Sequence, residues 1–148
     1  DSGRGVRRAV MDVPDAPFLV IGAMGDYSED ADLQENGVGS LYHLSREPEA
    51  RDSIFNLGGV DALAKAMAVH RRNEEVLIRS IKIYHRLFAD GSRALDPDSD
   101  VQRSAIGAVL QAMDGMSHLK PLQSDAVTLL WMLSAKNTSA AKSIVKAG

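Results

Sequence analysis

The chain contains no cysteine. That removes disulfides, thiolate nucleophiles and cysteine-ligated zinc. Aromatic residues make up only 5% of it, too few for a base-stacking surface. Excess positive charge is also missing: the formal net charge is −3, so no whole-chain basic field exists to hold nucleic acid. No run of 18 apolar residues occurs, so no membrane-inserted helix is expected, and the first residues lack the apolar core of a signal peptide. No nucleophile-elbow or phosphate-loop motif appears. These absences lead us to expect an intracellular protein, cytoplasmic or nuclear, with no cofactor and no enzymatic activity. The sequence begins at Asp1 rather than Met, as a fragment or processed form would.

What is present is ordinary in amount and unusual in arrangement. The 45% hydrophobic and 25% charged fractions suit a globular domain, and 148 residues make one domain the default. Residues 33–45 recur at 76–88 and at 122–134. In each copy a small residue (Gly37, Ser80, Ala126) precedes an aliphatic one (Val38, Ile81, Val127), and Leu44, Leu87 or Leu133 follows six positions later. The copies are offset by 43 and then 46 residues. A helical repeat of roughly 40–47 residues is the signature of an α-solenoid.

Taken in order, Val6, Ala9, Val10 and Val13 form one apolar helical face over 3–13. Pro14 and Pro17 end it. Residues 16–26 are nearly all apolar and predict a short helix buried on most sides. Ser28 or Asp30 can cap a helix running to about Ser45, with Glu29, Asp30 and Asp32 near its positive end. Pro48 suits the first turn of a helix to Leu57, Gly58 and Gly59 break the chain, and Val60, Leu63, Ala64 and Met67 face inward on the next helix. Asn73 caps a long helix through Phe88. Residues 90–100 are polar and interrupted by Gly91 and Pro97, which predicts a loop with at most one helical turn. Ser99 or Asp100 caps a helix from Val101 to Met116, and Pro121 opens the last long helix, to Ser134. Ile144 and Gly148 then match Ile54 and Gly58, as if a further unit began.

The units so defined, about 4–45, 46–89 and 90–134 with the first helix of a fourth at 135–148, resemble armadillo repeats, which are found in long eukaryotic arrays and are related to HEAT repeats. The resemblance rests on the Gly58-Gly59 turn, the Val60, Leu63, Ala66-Met67 helix and the Leu33-Gln34-Glu35 to Leu44-Ser45 helix. It implies an all-α, right-handed superhelix of three-helix repeats that acts as a protein-binding scaffold. The third helices would line a concave groove for an extended peptide. The groove positions it implies are Glu35, Gly39 and His43 in the first unit, Ile78, Lys82 and Arg86 in the second, and Ser124, Thr128 and Met132 in the third. Importin-alpha carries Trp and, four residues on, Asn at such places. Gly39/His43, Lys82/Arg86 and Thr128/Met132 hold neither, which argues against binding of nuclear-localisation signals. Trp131, one residue from the groove, is expected to pack between units.

Ile78, Lys82 and Arg86 share one helical face and, with His43 and His85, form a basic zone in an acidic chain. The partner expected there is an acidic protein or peptide segment, with His43 adding attraction below about pH 6.5. The plainer reading is exposed helix charge. Self-association through the solenoid ends is also expected, because a repeat unit buries its apolar face on a neighbour. The alternative to a scaffold is a structural module packing on neighbouring domains of a larger chain. Asp96, Asp98 and Asp100 imitate the start of a calcium loop, but Val101 and Gly107 stand where Gly and Glu are needed; capping explains them. His43, His70, His85 and His118 lack metal-ligand spacing. The Asn137-Thr-Ser139 sequon matters only in a secreted chain.

Overall fold

The computed structural model describes residues 16–89, 91, 93–94, 99–136 and 144–147. The fold is all-α. Its helices are α1 (Ala16–Asp26), α2 (Ala31–Leu44), α3 (Pro48–Asn56), α4 (Gly59–Val69), α5 (Glu74–Phe88), α6 (Asp100–Gly115) and α7 (Lys120–Lys136). A helical turn follows at 144–147, and no strand occurs among the described residues. The helix expected over 3–13 lies outside the described residues, as do 137–143 at the start of the fourth unit.

Local chemistry sets the boundaries. Asp30 accepts from the Leu33 N–H at 3.0 Å, Asn73 from Val76 at 3.1 Å and Ser99 from Gln102 at 3.1 Å, each satisfying a donor that has no partner within its helix. Pro48 opens α3, where its missing N–H costs nothing. Between α3 and α4 the chain turns at Gly58, whose φ of 85° is left-handed. Gly59 follows with no room for a side chain: a Cβ there would lie 2.6 Å from the Ile54 carbonyl oxygen.

The helices stack in two rows. In one, α1 packs on α4 and α4 on α6; in the other, α2 packs on α5 and α5 on α7. The rows are joined through the pairs α1–α2, α4–α5 and α6–α7, and α3 packs on α1, α2, α4 and α5. The core runs between the rows through Leu41, Ile54, Leu63, Leu77, Ile81, Leu122 and Leu129.

Side-chain bonds repeat with the units. The Gln34 amide donates to the carbonyls of Met24 at 2.9 Å and Tyr27 at 3.0 Å. Gln123 does the same to Met113 and Met116, both at 2.9 Å. Ser45 donates to the Tyr42 carbonyl, and Ser134 likewise to Trp131. The middle unit substitutes apolar Leu77 at the glutamine position, and there buried Tyr84 donates to the Val60 carbonyl at 2.7 Å.

The third unit differs where the sequence predicts a loop. The described residues among 90–99 form no helix, and α6 is 16 residues long against 11 for α4. Arg93 reaches across, donating to the Leu87 carbonyl at 3.1 Å and to Asp52 on α3 at 2.5 Å. One expectation is corrected here. Helix α1 is not buried on most sides: only Pro17 and Met24 are buried, while Phe18 and Leu19 are exposed. Its apolar residues run all round the helix, and α2, α3 and α4 cover only part of it.

Candidate functional site

The α2–α5–α7 row carries the nine groove positions. On α2, Glu35 is half-buried, Gly39 buried and His43 exposed. Gly39 is covered from α5: a Cβ there would lie 3.1 Å from Nη1 of Arg79, whose Nε pairs with Glu75 at 3.1 Å. On α5, Ile78, Lys82 and Arg86 are all half-buried. On α7, Ser124 and Thr128 are exposed and bonded to each other, Thr128 Oγ1 donating to the Ser124 carbonyl at 3.0 Å, whereas Met132 is buried.

The structure brings one group of these together around the end of α2. Arg86 crosses from α5, donating to the Tyr42 carbonyl at 2.6 Å and to Ser45 Oγ at 2.8 Å. Its guanidinium lies 4.2 Å from the centroid of the Tyr42 ring, and Arg46 approaches the same ring at 5.8 Å. Arg51, from α3, donates to the carbonyls of Ser45 at 2.9 Å and Arg46 at 3.2 Å. Helix ends expose carbonyls and carry partial negative charge. Arginines placed there bond those carbonyls and oppose that charge.

Tyr42 registers the resulting field. Burial pushes its phenol up, but the charges of Arg86 and Lys82, with hydrogen bonds from Arg46 and Arg86, bring it below its ordinary value of 10.0. His43 meets the ring edge-on, with centroids 5.5 Å apart. Arg86 is therefore tied to α2, and Lys82 is the lysine that adds positive charge beside Tyr42.

Contrary to expectation, Trp131 does not pack between units: it is 68% exposed. The expectation drew on the general burial of tryptophan; among the described residues no helix covers Trp131. Three side-chain clamps were not anticipated. Arg51 had a signal, since basic residues just beyond a helix can bond its last carbonyls. Arg93 to Asp52, and His70 Nε2 donating to the Ser28 carbonyl at 2.8 Å, span more than 40 residues of sequence and carry no local signal.

At the other end of the helices, Arg71 and Arg72 line two open depressions, one shared with Met67, Gln111 and Asp114, the other with His70 and Asn73. Among the described residues no helix is long and apolar enough to cross a membrane, and no three His, Asp or Glu residues group to hold a metal ion. Compared with protein-family models, curated proteins and solved structures, the chain matches none.

Proposed function

We propose that this chain is a protein-interaction scaffold, an armadillo-type right-handed solenoid whose α2–α5–α7 row receives an extended, acidic segment of a partner protein. The solenoid assignment is supported by the recurrence of whole bonding patterns, those of Gln34 and Gln123, at equivalent points of two units. The partner's chemistry rests on one observation: Arg46, Lys82 and Arg86 gather at Tyr42 in a chain whose net charge is −3. Carboxylates of a partner would be drawn there. Each exposed pair contributes only ~0–1 kcal/mol, so affinity depends on several contacts along the row.

The test is fluorescence anisotropy with a labelled polyglutamate peptide. Weak binding is expected at low salt, lost near ~0.15 M ionic strength, where the screening length falls to about 8 Å. Lys82→Glu should weaken it severalfold, while Lys120→Glu should leave it unchanged. No binding at low salt, or binding indifferent to Lys82→Glu, refutes the reading. A second reading, a structural module that docks through its ends, is favoured by exposed Val127 and Trp131 on α7.

A further inference from the structure

Among the described residues α7 is the last helix of its row, and the earlier members are covered on the corresponding side. The aliphatic position of the repeat is 0% exposed at Val38 and Ile81, where another helix of the row follows, yet 56% exposed at Val127. Trp131 holds the place of Tyr42, whose ring is covered by Arg86 of the following helix. The exposed residues of α7 between 124 and 135 are Ser124, Val127, Thr128, Trp131 and Ala135. Spaced by three and four, they form one stripe along the helix, and none carries charge. A charged segment finds no counter-charge on it. A second uncharged stripe of the same shape does fit.

The opposite end of the row offers no such match. Where α5 and α7 bury Ile83 and Leu129, α2 presents exposed Ser40, flanked by exposed Asn36 and His43. Head-to-tail stacking would set these polar groups against Trp131. Pairing like with like avoids that, and it closes after two copies.

We propose that the α7 stripe is a self-association face, on which two copies pair antiparallel so that Trp131 of each lies against Val127 of the other. One helix pair buries less than about 1,200 Å², the range of weak complexes, so dissociation constants on the order of 100 µM are expected. The inference rests on the exposed faces of α7 and α2 and is independent of the acidic-segment reading.

Trp131 is the only tryptophan, so its emission reports directly on the face. Sedimentation velocity from about 10 µM to about 1 mM, the range that brackets such an affinity, should show monomer passing to dimer and no further. Trp131 emission should shift to shorter wavelength over the same range. Val127→Glu, at an exposed site, should raise the dissociation constant about tenfold or more by placing unpaired charge in the contact, with unchanged helical circular dichroism. Because the chain lacks cysteine, Thr128→Cys gives a clean probe: mild oxidation should cross-link it into dimers, and Ser40→Cys should not cross-link. A strict monomer at the top concentration overturns the proposal. So does blue-shifted emission at every concentration without dimer, which would mean that the chain's own residues cover Trp131. Oligomers that keep growing with concentration would indicate head-to-tail stacking and overturn the twofold pairing.

Discussion

Gln123 makes to Met113 and Met116 the two bonds that Gln34 makes to Met24 and Tyr27. Each amide bridges the last carbonyls of one helix from the next, fixing where the two helices of a unit cross. The middle unit shows that leucine fits the same position, since Leu77 is buried there. Gln34→Leu should therefore pack without clash but leave the Met24 carbonyl, and in part that of Tyr27, without a donor. The expected cost is about 1–3 kcal/mol. Denaturant titration should show a lower midpoint at unchanged slope. The same change at half-buried Gln123 should cost less, because water can reach the freed carbonyls.

Arg86 and Lys82, one turn apart on α5, should separate cleanly. Arg86 bonds the Tyr42 carbonyl and Ser45 and covers the Tyr42 ring. Arg86→Ala removes charge-assisted bonds, a cation–π contact and packed methylenes, and should cost about 2–3 kcal/mol. Arg86→Lys should recover little of it, because an ammonium cannot reproduce the planar fork. Lys82→Ala should stay within about 0.5 kcal/mol, as surface substitutions do. Thermal melts of the three variants decide this; an Arg86→Ala protein as stable as the parent would remove Arg86 from the account of how α5 holds α2.

What was legible in the sequence follows from range. The helices between Ala16 and Lys136, the Asp30, Asn73 and Ser99 caps and the Gly58 turn depend on neighbours within a few residues, and among the described residues these agree with the structure. The all-α character was legible because the apolar residues recur at helical spacing, as around Leu33, Val76 and Leu122. The spacing of Ile78, Lys82 and Arg86 gave their common face but not what Arg86 touches, because that depends on how far α5 is rotated against α2. Trp131 was misjudged for a related reason. Periodicity identifies the side of a helix that packing would cover; it does not say whether a covering helix is there.

Two glycines should respond differently to alanine. At Gly59 a Cβ would meet the Ile54 carbonyl oxygen at 2.6 Å and Ile54 Cγ2 at 2.4 Å, so the backbone at the α3–α4 junction must move. A loss of about 1–3 kcal/mol is expected, as for other overpacked sites. At Gly37 the nearest atoms, 2.7 and 2.9 Å away, belong to the Met24 side chain, which has three rotatable bonds and can shift. Alanine also gains about 0.5–1 kcal/mol over glycine within a helix, so Gly37→Ala should be close to neutral. Chemical denaturation of both variants checks the pair, and a large loss at Gly37 would mean that Met24 is held rigidly.

Alkaline pH should act on the fold through Tyr84. Its side chain is buried and donates to the Val60 carbonyl at 2.7 Å; burial, with a lesser push from Asp61, raises the phenol far above its ordinary 10.0. The folded protein thus keeps this proton at pH values where the unfolded chain has lost it. Below pH 10 the two states hold the proton alike, and the contribution of Tyr84 is fully present. Above about pH 10 the unfolded state alone is deprotonated, so stability should fall by up to about 1.4 kcal/mol per pH unit from this one group. Tyr84→Phe should lower stability by about 1 kcal/mol at neutral pH, the net worth of one hydrogen bond, and make the alkaline decline shallower. The measurement is a set of denaturant titrations between pH 8 and 11 on both proteins, followed by phenolate absorbance. Parallel declines in parent and variant would show that Tyr84 ionises without unfolding the chain, and would overturn this account of its burial.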